Sequence, residues 1–195
     1  MPTLLTICGS LRADSWNRRA LVAAEPCVPS EWTVVHADVR DIPLYDQDLE
    51  TDDPPAPVQA LRVAVAQADA VLLSTPQYNH GMSGVLKNTL DWLSRPAFAG
   101  VLVGKPCAVI AASPSRNPPI DAVTQTETTV EACVATVVRP GVAVPSIAHA
   151  VDDTGAFTEV VLDPLADLVV RLVAAAERPE PPEQPAQPAQ PGVSA

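Results

Sequence analysis

The chain predicts an α/β domain in which a five-stranded parallel sheet lies between two layers of helices, and three observations lead there. Short apolar runs stop abruptly at turn residues: residues 4–8 end at Gly9 and Ser10, residues 70–74 at Thr75 and Pro76, and residues 107–112 at Ser113 and Pro114. Each run is apolar along most of its length rather than alternating, as a strand buried on both faces of a sheet requires. Stretches of helical composition separate the runs, and strands connected through helices lie parallel with right-handed crossovers.

The elements follow in order. Residues 4–8 form the first strand and residues 15–24 a helix. Residues 33–36 are short and β-branched, and residues 41–53 make an acidic loop interrupted by proline. A helix over residues 58–67 leads to the clearest buried strand, AVLLS at residues 70–74. From Gly84 to Leu93 the apolar residues Val85, Leu86, Leu90 and Leu93 recur at helical spacing, with Lys87 and Asp91 on other faces as an exposed pair or a subunit contact. Residues 107–112, 113–119 and roughly 121–134 read as strand, loop and helix, the helix weakened by several threonines. A last strand is expected within residues 136–144. A closing helix over residues 164–177 would place Pro164 in its first turn. From Arg178 the text RPEPPEQPAQPAQPGVSA lacks the apolar content to pack, which divides the chain into a domain at 1–177 and a disordered or polyproline tail at 178–195.

Composition narrows the function. A net charge of −11 opposes nucleic-acid phosphates and anionic membranes, so a small molecule is the expected partner. The four cysteines show neither a CxxC pair nor zinc-like spacing with the three histidines, which predicts reduced thiols, no metal and a reducing compartment. The segment MPTLLTICGS has no basic leader, so a cytoplasmic location is expected.

In an open parallel sheet, ligands sit beyond the carboxyl ends of the strands. The loops after Cys8, Ser74 and Ala112 are therefore the candidate site. The first, GSLRADSWN, runs into a helix N-terminus that favours an anion; Ser10, Ser15 and Asn17 offer neutral donors and Arg12 a guanidinium. Ser15 also reads as an N-cap and Arg12 as a solvated loop residue. Other anion motifs fail on spacing. No G-x-G-x-x-G follows a strand, and GVLVGKP has three residues between Gly100 and Gly104, with Pro106 where a phosphate loop needs Ser or Thr. A cysteine phosphatase loop from Cys8 would want arginine at the position of Asp14.

The second loop, STPQYNHGMSGVLKNTLDW, together with GSLRADSWN, resembles the NADPH-dependent FMN reductase family of flavin, quinone, azo-dye and chromate reductases, and RDIPLYDQDLE extends the likeness. The resemblance implies a flavodoxin-like fold with strand order 2-1-3-4-5. It implies FMN as cofactor, NADPH or NADH as donor, a small-molecule electron acceptor and a homodimer or homotetramer. The site residues it implies are Ser10, Arg12, Ser15 and Asn17 at the phosphate, with Pro76, Gln77, Tyr78, Asn79, His80, Gly81 and Ser113 around the ring. No protein acid, base or nucleophile is required, because the flavin performs the hydride chemistry. Tyr78 would wall the ring and Asn79 bond its pyrimidine edge; a packed aromatic and a turn-forming Asn are the plainer readings. His80 reads equally as a solvent-facing residue. Gln77 stands where the family usually has Glu, which removes a charge beside the ring. The third loop, SPSRNPPID, lacks the family's glycine pair, which implies a stiffer or differently shaped pocket, and its Arg116 reads as an exposed residue or a contact to a nicotinamide-nucleotide phosphate. The alternatives to a reductase are a non-enzymatic electron carrier and a flavin-binding regulatory module.

Overall fold

A computed structural model describes residues 1–178. All but the first residue of the expected tail lies outside the described residues. Strands β1 (Thr3–Cys8), β2 (Thr33–Ala37), β3 (Ala70–Thr75) and β4 (Pro106–Ala112) are joined through helices α1 (Trp16–Ala24), α2 (Ala56–Gln67) and α3 (Gly84–Leu93). The strands pair in parallel, and the order is β2-β1-β3-β4 followed by β5 (Thr136–Val137), the flavodoxin-like order.

Alternation along the central strands divides the core in two. Leu4, Leu72, Ala108 and Ile110 face α1 and the closing helix; Leu5, Ile7, Val71, Leu73 and Val109 face α2, α3 and the helix after β4. All six residues of β3 and all seven of β4 are buried, so both faces contribute, at about 1.5–3 kcal/mol for each large aliphatic side chain. The outer strand β2 has no buried residue. The acidic loop is pinned to α3: Asn88 Nδ2 and Trp92 Nε1 both donate to Pro43 O, at 2.8 and 2.9 Å.

Three boundaries differ from the sequence expectation. The last strand is two pieces, β5 (Thr136–Val137) and β6 (Val142–Val144), both paired with β4. Pro140 has no N–H for a ladder, and the gap is held by Glu127, whose carboxylate accepts from Gly141 N at 2.7 Å and Arg139 Nε at 3.2 Å. Helix α4 (Ile120–Ala132) ends where Val134 turns to φ +62°, with Ala135 N returning to Val130 O. Helix α5 (Glu159–Glu177) starts earlier than Pro164, which lies inside it. The carbonyl that this proline leaves without a helical donor is that of Val160, a residue 79% exposed and so open to solvent.

All four cysteines are free. Burial pushes the Cys107 thiol far up and the Cys133 thiol up to about 11, so both are neutral near pH 7. No helix among the described residues is long and apolar enough to cross a membrane.

Candidate functional site

The loop after β1 begins at Gly9, whose N–H bonds Ser74 O at 2.7 Å. A Cβ here would lie 2.8 Å from Ser83 Oγ and 2.9 Å from Leu86 Cβ, so only glycine lets this loop meet β3 and α3. Ser83 closes the seam: its Oγ donates to Gly9 O at 2.6 Å and accepts from Leu86 N at 3.2 Å as the cap of α3. Ser15 caps α1, accepting from Arg18 N at 3.3 Å, and keeps its own hydroxyl proton to donate. Ser10 and Ser15 are buried, whereas Arg12 is exposed and makes no ion pair or hydrogen bond with another described residue.

Asn17, which lines the cleft, is also bonded to the ends of two strands. Its Oδ1 accepts from Ala112 N at 2.9 Å and Ser74 Oγ at 3.0 Å, while Nδ2 donates to Ala112 O at 3.0 Å. The buried amide therefore ties the first loop to the ends of β3 and β4, with one N–H to spare.

In the second loop, Tyr78 and Gly81 exchange backbone bonds of 2.9 and 3.0 Å around Asn79 and His80, which have φ of +49° and +62°. This is the two-residue turn of a tight hairpin, and Asn is among the residues that tolerate it. The hairpin is laced to α4. Gln77 Oε1 accepts from Ala122 N at 3.1 Å, His80 Nδ1 meets Asp121 Oδ2 at 2.7 Å, and Gln125 Oε1 accepts from Met82 N at 2.7 Å. The plainer readings of Asn79 and His80 fit this geometry: one forms the turn, the other is exposed and paired with a carboxylate.

The third loop replaces glycine flexibility with serine turns. Ser113 Oγ accepts from Ser115 N and Ser115 Oγ from Asn117 N, both at 3.1 Å. Ser113 N donates to Val144 O, so β6 holds this loop in place.

The three loops enclose one cleft at the carboxyl ends of β1, β3 and β4. Ser10, Arg12, Ser15 and Asn17 line it from the first loop, Pro76, Gln77 and Tyr78 from the second, and Ser113 from the third. Asn79, His80 and Gly81 do not line it; they form the hairpin tip directed to α4. Trp16, Ala112 and Pro114 line the cleft without having been singled out in the sequence. Trp16 is braced by Arg19, whose guanidinium lies 4.2 Å from its ring centre. An aromatic directly after an N-cap serine was the available signal. A larger groove, about 360 Å³ against about 110 Å³, runs along β6 and α5, but Val142, Val144, Val160 and Pro164 give it an apolar wall, and the donors of Arg171, which also lines it, are taken by Asp167, Arg139 O and Pro140 O. No group of three metal-ligating side chains occurs among the described residues.

Comparison with known proteins agrees with this geometry. The profile of the NADPH-dependent FMN reductase family matches residues 2–149. A 2-hydroxy-1,4-benzoquinone reductase from Burkholderia sp is 42% identical over 110 residues, 56% of this chain and 60% of that protein. An NAD(P)H-dependent FMN reductase from Pseudomonas aeruginosa is 43% identical over 113 residues, 58% of this chain and 60% of its own length. The match thus spans about 60% of the length of these relatives. Among solved structures, the flavoenzyme NAD(P)H:(acceptor) oxidoreductase FerB from Paracoccus denitrificans superposes with a TM-score of 0.80 at 27% identity, over 92% of this chain and 99% of that one. With both motif loops inside the matched stretch and the strand order to go with them, the chain belongs to the NADPH-dependent FMN reductase family.

Proposed function

We propose that this chain is an NAD(P)H-dependent oxidoreductase that holds FMN without a covalent bond and passes electrons to a small acceptor, a quinone or a free flavin. The observation that carries the reading is the convergence of three loops on one cleft, with buried hydroxyls from Ser10 and Ser15 and with Arg12, which has no partner among the described residues. Those residues fit a phosphate. The first-turn N–H groups of α1 supply partial positive charge, the two hydroxyls donate, and the guanidinium adds a charge-assisted grip. In a chain of net charge −11, Arg12 also makes this the electrostatically sensible place for an anion.

FMN supplies the hydride chemistry when bound. The chain's own residues bind and orient. Pro76, Gln77, Tyr78 and Ser113 line the part of the cleft left for a flat ring. Asn79, His80 and Gly81 act one step removed, by holding the hairpin that presents Tyr78, and Asn17 keeps the first and third loops in register. We place the protein in the cytoplasm, as a homodimer or homotetramer; its four free thiols support the reducing location, and light scattering tests the assembly.

The test is an absorbance spectrum of purified protein supplied with FMN, followed by anaerobic addition of NADPH and then NADH. A bound-flavin spectrum that bleaches with either nucleotide is expected. Tight FMN binding without bleaching would instead identify an electron carrier, and a chain that takes up no FMN would leave the regulatory-module reading.

A further inference from the structure

Helix α4 begins after Pro118 and Pro119, and the residue at its N-cap position supplies no side-chain bond to its first free N–H groups. Gln77, 45 residues earlier, does so through the bond from Ala122 N to Oε1. A backbone N–H can only donate, so this contact decides which end of the amide faces α4. Nε2 is left with two donor hydrogens and no acceptor among the described residues, on a residue that lines the cleft.

We propose that Gln77 is a positioning residue with two separable tasks: its oxygen caps α4, and its Nε2 donates to the edge of the FMN ring where negative charge collects on two-electron reduction. This rests on the flavin-site reading above. Donors fixed where charge develops stabilise the charged form most, so Gln77 favours the reduced cofactor over the oxidised one. A carboxylate at this position would keep the cap, and improve it at a helix N-terminus, but would bring only acceptors to the cleft. A glutamine is therefore not a neutral stand-in for glutamate here; it reverses the hydrogen-bonding sense of the residue toward the ligand.

The two tasks separate in Gln77→Glu, which keeps the cap and loses the donor, and Gln77→Met, which loses both at similar length. The measurements are Kd for oxidised FMN, Kd for dithionite-reduced FMN, and Tm of the protein without flavin. The preference for reduced over oxidised FMN should fall about tenfold in Gln77→Met, equivalent to about 30 mV for a two-electron couple, and at least as far in Gln77→Glu. Tm without flavin should fall in Gln77→Met only. If both variants keep the wild-type preference while Gln77→Met melts earlier, Gln77 is a cap and nothing more. A preference that falls in Gln77→Glu alone would trace the effect to added charge and also overturn the donor role. Wild-type protein that takes up no FMN would instead remove the flavin reading itself. Independently of variant folding, the Gln77 side-chain NH₂ resonances in 15N-labelled wild type should move on FMN addition and again on reduction; a pair that stays put in both steps contradicts the proposal.

Discussion

The loop after β1 and the loop after β3 shape two ends of one cleft by different means. The first works mainly through local chain geometry, because Ser15 caps the helix it precedes and the anion-attracting N–H groups come with that helix. The second folds on its own Tyr78–Gly81 hairpin but is held in place by partners about forty residues away: Gln77 with Ala122, His80 with Asp121, and Met82 with Gln125. The difference teaches that the end proposed above for the phosphate has its donors set by a local cap, whereas the end proposed for the ring is set by its ties to α4. Gly9, bonded to Ser74 and Ser83, is one exception in the first loop; Asn17, whose three bonds reach β3 and β4, is the other.

That exception gives the largest expected effect. Asn17→Ala strands Ala112 N, Ala112 O and Ser74 Oγ in the core, and at about 1–3 kcal/mol for each unsatisfied group the loss should reach about 3 kcal/mol in urea unfolding. A loss below about 1 kcal/mol would show that the loops are not bolted together there. Arg12→Ala comes next. FMN binding should weaken by about 1.5–3 kcal/mol, the worth of a charge-assisted hydrogen bond, while riboflavin binding and Tm stay as they were. Equal losses for both ligands in a titration would erase the contrast between the two ends. At the ring end, Gln125→Ala frees Met82 N and loosens the hairpin, so FMN and riboflavin should weaken alike, by about 0.5–1.5 kcal/mol.

Smaller effects mark the edges of the scheme. The His80–Asp121 pair is exposed, with His80 at 86%, so Asp121→Asn should change stability by about 1 kcal/mol or less, and only at low salt. Ending the chain after Arg178 should leave both Tm and FMN affinity unchanged, because the last buried residue of α5 is Val173. A lower Tm in the shortened protein would move the domain boundary past Arg178.

Legibility in the sequence followed the same division. Strands β1, β3 and β4 were readable because both their faces are buried, which leaves continuous apolar runs, and the cap at Ser15 and the helix at Gly84–Leu93 depend on neighbours in the chain. The lacing of the second loop was not, since nothing near Gln77 or His80 signals that α4 lies within reach. In the glycine-poor third loop, Pro118 and Pro119 are plain in the sequence, whereas the serine turns at Ser113 and Ser115 show only in the structure. The break between β5 and β6 depends on Glu127 reaching Gly141 across fourteen residues, a contact that period-two reading cannot see. Pro164 misled because proline favours a first helical turn, yet the exposure of Val160, four residues earlier, makes an interior position tolerable.

If the cleft enclosed by the loops after β1, β3 and β4 is the flavin site proposed above, donor and acceptor must reach the cofactor through that one opening, and so must use it in turn. Steady-state initial rates with NADPH and a quinone varied together test it most directly. The account predicts parallel double-reciprocal lines, the pattern of a two-step transfer through a modified enzyme form. Lines that intersect under the same conditions would require donor and acceptor to be bound at once, on a second surface outside this cleft, and would contradict it.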